Sequence, residues 1–270
     1  MRYTALIGLF ALACRPDYVV LGENDTSLGE EEVDAVWDTA TLLINHPQSG
    51  DFLPWEQDND FEAVIVDAEG NELEFDEVTW SSDIDEGWAL TGRALTDDAL
   101  DVGTHAITAQ ALLPNGDRLT YTVGGVLVQS EYAGTYTGTL RVDLISDQIS
   151  TACSGSAAIV VDVYGEVVEG DANCFLSIQG FDLDGAYLVA ASNDDGDMSG
   201  EIQVDLAGFF QIPMDLDGSL SEEGELSGTF SGDLLGYAQI EGLLSATRIS
   251  RDTSLWRPPP AVFFGKDREG

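Results

Sequence analysis

The chain has 270 residues, 50 acidic against 10 basic side chains, and a formal net charge of −40. That length suits one or two domains, and the 44 % hydrophobic content is enough for a sizeable core, which excludes global disorder. A surface this negative repels phosphate backbones and anionic headgroups, so nucleic acid is excluded as a partner and lipid heads are disfavoured. The charge is uneven. From Arg15 to Thr247 there are 47 acids and only Arg15, Arg93, Arg118 and Arg141 as cations, whereas the segment from Arg248 onward holds five cations and three acids.

The N-terminus reads as an export signal. Arg2 is followed by an apolar run from Tyr3 to Ala13, too short to span a bilayer as a helix and closed by small residues. Residues 1–13 are assigned to this signal. The ending Ala11-Leu12-Ala13-Cys14 resembles the lipobox of bacterial lipoproteins. It departs from that pattern at Ala11, where leucine is usual, and the same three residues also fit an A-x-A cleavage site. The resemblance implies that Cys14 becomes the lipidated first residue of an envelope protein, in an outer membrane. The cysteine count agrees, because lipidation of Cys14 leaves Cys153 and Cys174 as one pair in an oxidising compartment, where a disulfide is expected. Residues 14–32 lack apolar periodicity and read as an acidic tether.

From residue 33 to 129, short alternating segments between turn signals predict an antiparallel β-sandwich. Strands are expected at Ala40–Ile44, Phe61–Asp67, Val78–Ser81, His105–Ala111, Leu119–Val123 and Val126–Val128. The runs Thr79-Trp80-Ser81-Ser82-Asp83-Ile84-Asp85-Glu86-Gly87, Gly103-Thr104-His105-Ala106-Ile107-Thr108-Ala109 and Pro114-Asn115-Gly116-Asp117 resemble bacterial Ig-like and PKD-like repeats, with Glu86 as an insertion. That resemblance implies an Ig-like sandwich of the kind used as spacer, adhesive unit or partner-binding module. Trp80 is expected to anchor the core and His105 to be structural.

From residue 131 to 249, glycine- and aspartate-rich turns recur often enough to predict a second antiparallel β meander, curled into a barrel or folded as a sandwich. Strands are expected at Gly134–Leu144, Ala157–Val163, Cys174–Ile178, Ala186–Ala190, Gly200–Leu206, Phe209–Met214, Ser219–Leu220, Glu225–Phe230 and Tyr237–Ser245. Turns are expected at Asn193–Gly196, Leu216-Asp217-Gly218 and Glu222-Glu223-Gly224, and Pro213 marks an edge or a bulge. Gly134-Thr135-Tyr136-Thr137-Gly138 and Gly228-Thr229-Phe230-Ser231-Gly232 share one rhythm near the two ends of this unit, which allows first and last strands to meet and close a barrel. Residues 250–270 form a tail with Trp256, Pro258-Pro259-Pro260 and Phe263-Phe264, read either as floppy or as a docking segment.

No catalytic residue is assigned. There is no nucleophile elbow, H-E-x-x-H, phosphate loop or dinucleotide fingerprint, and only two histidines, His46 and His105. No cofactor is expected. Calcium suits the oxygen ligands Asp83, Asp85, Asp195 and Asp197, with solvated hairpin tips as the competing reading. The expected function is a lipid-anchored, non-enzymatic binding or scaffolding protein of the cell envelope, with a protein or glycan partner. A small-ligand carrier with an open barrel and a hydrolase built on two carboxylates are the alternatives. Mass spectrometry of the mature N-terminal peptide is expected to find Cys14 as the first residue carrying acyl chains; an unmodified Cys14 would make the protein a soluble secreted one.

Overall fold

The computed structural model describes residues 36–255 except 76, 148–149, 179–180, 207–209 and 235. The expected signal segment, tether and lipidation residue Cys14 lie outside the described residues, as does the tail from Trp256. Within them the regular structure is strand, apart from a short turn of helix at 36–37 and a 3-10 turn at Thr253–Leu255.

Nine strands precede Gln129 and its linker. One sheet joins β1 (Thr41–His46), β3 (Asn59–Val66), β4 (Glu72–Leu73) and β7 (Ala94–Asp97). The other runs β2-β9-β8-β5-β6, from β2 (Phe52–Pro54), β9 (Arg118–Gln129), β8 (Gly103–Leu112), β5 (Val78–Ser82) and β6 (Ala89–Thr91). Neighbouring strands are antiparallel except that β2 lies parallel to β9. Alternation decides which face is inside: Leu42 and Ile44 of β1, Phe61, Ala63 and Ile65 of β3, and Ile107, Ala109 and Ala111 of β8 are buried and share one core. That shared core makes the two sheets a sandwich. Trp80 is its fully buried anchor, with Phe61 edge-on at 5.7 Å and its indole N–H donated to the Gly92 carbonyl at 2.8 Å. The segments expected as two strands, Leu119–Val123 and Val126–Val128, are one continuous strand. Gly125, at φ 74°, drops out of the ladder between the pairs His105↔Val126 and Ala106↔Gly124.

The remaining eight strands form a closed antiparallel barrel in chain order. They are β10 (Gly134–Ile145), β11 (Ser150–Val161), β12 (Val167–Ile178), β13 (Phe181–Asp194), β14 (Asp197–Leu206), β15 (Phe210–Leu220), β16 (Glu225–Leu234) and β17 (Ala238–Ser250). Closure is made by β10 against β17, as in Leu140↔Leu244, so the expected meeting of first and last strands occurs. The Gly228–Gly232 segment lies on β16, one strand away from the seam.

The register fixes the size of the barrel. Stepping sideways from Leu220 of β15, the paired residues are Leu226, Ala246, Gly138, Ala157, Ala172, Tyr187, Val204 and then Ile212, again on β15. The walk returns eight residues from where it began. Eight strands with this stagger tilt by about 36° and enclose a space that side chains fill. The inside is accordingly one apolar cluster in which Tyr136, Leu140, Ile159, Tyr187, Ile202 and Leu216 are at most 1 % exposed.

Every barrel strand carries hydrophobic-x-Gly-x-hydrophobic. The copies are centred on Gly138, Gly155, Gly170, Gly185, Gly200, Gly218, Gly228 and Gly242. The expected strand pattern showed two glycine-rich segments, whereas the barrel uses the motif on all eight strands. The reason is close approach. A Cβ on Gly155 would overlap the Asn173 carbonyl of the neighbouring strand, and a Cβ on Gly242 would overlap the Phe230 ring. Glycine therefore lets strands bend inward and gives large side chains room at the axis. This corrects the turn expected at Leu216-Asp217-Gly218. Those residues continue β15, with Gly218 paired to Gly228, and the separate Phe209–Met214 and Ser219–Leu220 strands merge. Pro213 pairs on the β14 side opposite Gln203, while the β16 ladder takes up β15 from Asp215 onward, so its missing N–H falls where that ladder has run out.

Two outcomes test this construction. Gly155→Ala is expected to destabilise the protein by about 1–3 kcal/mol through overpacking, whereas Gly124→Ala, whose Cβ meets nothing within 4 Å, stays within about 0.5 kcal/mol; urea unfolding of both variants reads the difference. The disulfide Cys153–Cys174, with Cα atoms 5.7 Å apart inside the barrel, links β11 to β12. Replacing both cysteines by alanine is expected to cost about 2–4 kcal/mol, measured by calorimetry under non-reducing conditions.

Candidate functional site

The residues singled out from the sequence separate into local structural roles. Cys153 and Cys174 are both interior, 5 % and 0 % exposed, so the bridge is closed off from solvent. The Tyr187 hydroxyl lies 3.5 Å from the Cys174 sulfur, and burial pushes the Tyr187 phenol up to about 12.

Asp83 and Asp85, weighed as calcium ligands, accept hydrogen bonds from backbone N–H groups. Asp83 Oδ1 accepts from Ala106 N, and Asp85 Oδ1 accepts from Gly87 N and Trp88 N, each at 3.2 Å. Asp85 Oδ2 faces the Asp101 N–H at 3.4 Å. These are turn-stabilising contacts of the kind aspartate makes with neighbouring backbone. Asp195 and Asp197 sit on the β13–β14 hairpin, where Asp195 and Gly196 adopt φ of 50° and 92° and Asn193 Oδ1 receives the Gly196 N–H at 3.1 Å. Among the described residues no three His, Cys, Asp or Glu side chains converge in a group suited to a metal.

The histidines are also apart. His46 is exposed at the end of β1. His105 is buried in β8, with Nδ1 2.7 Å from Ser82 Oγ and Nε2 2.8 Å from the Asp101 carbonyl. Both ring nitrogens are thus occupied by neighbours that fix the β5–β8 corner, the structural role expected for it.

What sequence reading did not foresee is a groove where sandwich and barrel meet. The connection is short: β9 ends at Gln129 and β10 begins at Gly134. Several contacts gather around it. Trp55 N donates to the Gln129 carbonyl at 3.0 Å, and Ser130 N to the Val163 carbonyl at 2.9 Å. Gln129 Nε2 donates to the Arg251 carbonyl at 2.9 Å. The Arg251 guanidinium stacks 3.5 Å over the Phe52 ring, a cation–π contact between the end of the chain's described part and β2.

Beside this seam lies a groove of about 340 Å³. Its aromatic surface comes from Trp55, Tyr132 and Tyr164, with Trp55 and Tyr164 edge to face at 5.3 Å. Glu56, Glu131, Glu166, Asp195 and Glu222 line the rest. Arg248 reaches the rim from β17, its guanidinium donating to the backbone carbonyls of Glu131 and Glu222. The Tyr132 hydroxyl lies 3.4 Å from Asp195 Oδ1 and is held above its ordinary range by burial, then by the charges of Asp195 and Glu222. A cationic or aromatic-seeking group is what such a surface accepts.

The outer wall of the barrel is polar. Glu201, Asp215, Asp217, Asp233 and Glu241 point outward from β14 to β17, and Glu201 stands directly opposite Asp215. A lipid-facing barrel presents an apolar band there, and charged side chains occupy these positions instead. The exposed Leu188 stands opposite Asp171 and Gln203, and the exposed Leu243 opposite Arg141. No family model matches the chain, and no curated protein matches it at a significant level.

Proposed function

We propose that the chain is an exported, lipid-anchored protein of the cell envelope with a non-catalytic binding or scaffolding role. The observation that carries this reading is the buried apolar interior of the barrel. A carrier needs its barrel to enclose a chamber, and here the described inward side chains of all eight strands form one buried apolar cluster. Recognition then belongs to the outside of the molecule and to the groove at the seam.

The anchor rests on the signal-like N-terminus and its resemblance to lipobox sequences. The charged barrel wall supports a body held outside the bilayer, with contact through the acyl chains of Cys14 alone; several chains together anchor far better than one, at roughly 0.8 kcal/mol per buried CH₂. The Ig-like character of the sandwich rests on the Thr79–Gly87 and Gly103–Ala109 runs, and modules of that kind hold partners or hold distance. The acidic body disfavours nucleic acid and favours a basic or uncharged partner such as a protein or glycan.

The mature protein is expected to turn over no ester, peptide or glycoside substrate and to give no saturable signal with a fluorescent fatty acid. Hydrolysis abolished by one carboxylate substitution would establish the hydrolase reading instead. Stoichiometric fatty-acid binding lost on filling the barrel axis further would establish the carrier.

A further inference from the structure

The groove at the seam joins exposed rings and carboxylates in one concave surface. Trp55 follows β2, Tyr132 lies in the linker, and three barrel connections bring Tyr164, Asp195 and Glu222 beside them. Six carboxylate side chains and no basic one line it, and the Tyr164 ring is 49 % exposed. A planar guanidinium is the group that uses both features. Its face stacks on an aromatic ring, and its N–H fork donates to carboxylates.

The molecule makes the stacking contact twice with its own arginines, Arg251 over Phe52 at 3.5 Å and Arg93 over Phe75 at 4.5 Å. At the groove its cations are engaged otherwise. Arg248, at the rim, donates to the backbone carbonyls of Glu131 and Glu222, and the one side-chain ion pair among the described residues is Arg141–Asp143 on β10. The partners of the groove carboxylates are neutral: Glu131 accepts from Gln57 Nε2 at 2.8 Å, and Asp195 lies 3.4 Å from the Tyr132 hydroxyl. A neutral sugar could stack on the rings, but it would leave the gathered negative charge unbalanced, whereas a cation offsets it.

We propose that this groove binds an arginine side chain presented by a basic segment of a protein partner, stacked on Tyr164 with its N–H groups toward the surrounding carboxylates. The inference rests on the non-catalytic binding role proposed above and names the partner chemistry for it. The acidic body draws such a segment in from a distance, and the rings favour guanidinium over ammonium at contact.

The test titrates the mature protein with the peptide acetyl-Gly-Arg-Gly-Arg-Gly-amide by calorimetry, beside its lysine and citrulline versions. Salt is held at about 0.15 M, where exposed charges more than roughly 8 Å apart are largely screened. The expected result is saturable binding of the arginine peptide, severalfold weaker binding of the lysine peptide and none of the citrulline one. Tyr164→Ala, which leaves the charge unchanged, is expected to weaken binding about fivefold, and Tyr164→Phe, which keeps the ring, to retain it. Glu131→Gln with Glu222→Gln is expected to weaken it about tenfold or more. Glu201→Gln with Asp215→Asn makes the same charge change on the barrel wall and is expected to stay within about twofold. Circular dichroism of each variant controls for folding. Equal losses from the groove pair and the wall pair, or equal binding of arginine and lysine peptides, would reduce the effect to general attraction and overturn the proposal. Saturable, Tyr164-dependent binding of a neutral oligosaccharide with no peptide binding would give the groove to a glycan and overturn it as well. Peptide recovered intact but unbound defeats this inference and leaves the non-catalytic role standing, whereas peptide recovered cleaved removes that role.

Discussion

Closing eight strands edge to edge with a stagger of eight residues leaves an interior that a few side chains exhaust, and most of the barrel follows from that shortage of space. Tyr187 and Phe230 are large for such a lumen, and each has a small residue beside it on one neighbouring strand: Phe230 lies over Gly242, and Tyr187 pairs with Ala172. The alternation of small and large is therefore a packing requirement repeated on each strand. It packs the described interior into one apolar cluster and buries the disulfide.

Charge acts on a different level. With 50 acids against 10 cations, the body repels itself, and few arginines are left to bind parts together. Their placement is economical. Arg248 ties the Glu131 and Glu222 backbones, Arg251 stacks on Phe52, and Arg93 stacks on Phe75 at 4.5 Å. Arg248 and Arg251 both serve the seam, using carbonyls and a ring as partners rather than carboxylates. Such contacts are less sensitive to the surrounding negative field than an exposed ion pair like Arg141–Asp143, whose 2.9 Å contact is open to solvent and to salt.

The all-β character, the sandwich core around Trp80, the structural role of His105 and a second unit of consecutive antiparallel strands were legible in the sequence, because period-2 alternation and turn residues report them directly, whereas the choice of barrel over sandwich was left open. The eight-fold hydrophobic-x-Gly-x-hydrophobic motif was also present in the letters, but glycine is usually punctuation, and Leu216-Asp217-Gly218 has the composition of a turn. Only comparison of all eight strands distinguishes a glycine that bends a strand from one that ends it. Asp83 and Asp85 looked like cation ligands because composition does not show which backbone N–H groups lie nearby. The groove was invisible for a simpler reason: Trp55, Tyr132 and Tyr164 come from three separate stretches of chain and meet only once sandwich and barrel are set against each other.

The meander order has a kinetic side. Seven of the eight strand pairings in the barrel join consecutive strands, so each can form soon after its second member is available. The eighth, β10 with β17, brings together residues as distant as Leu140 and Leu244, and its loop-closure entropy is paid only at the end. Until the last strand arrives, the barrel is an open sheet with two unpaired edges, the state in which strands from different molecules recognise each other. Synthesis from the N-terminus delivers β17 last. The high negative charge, which contributes nothing to the core, then keeps unfinished copies apart during the interval in which their edges are exposed.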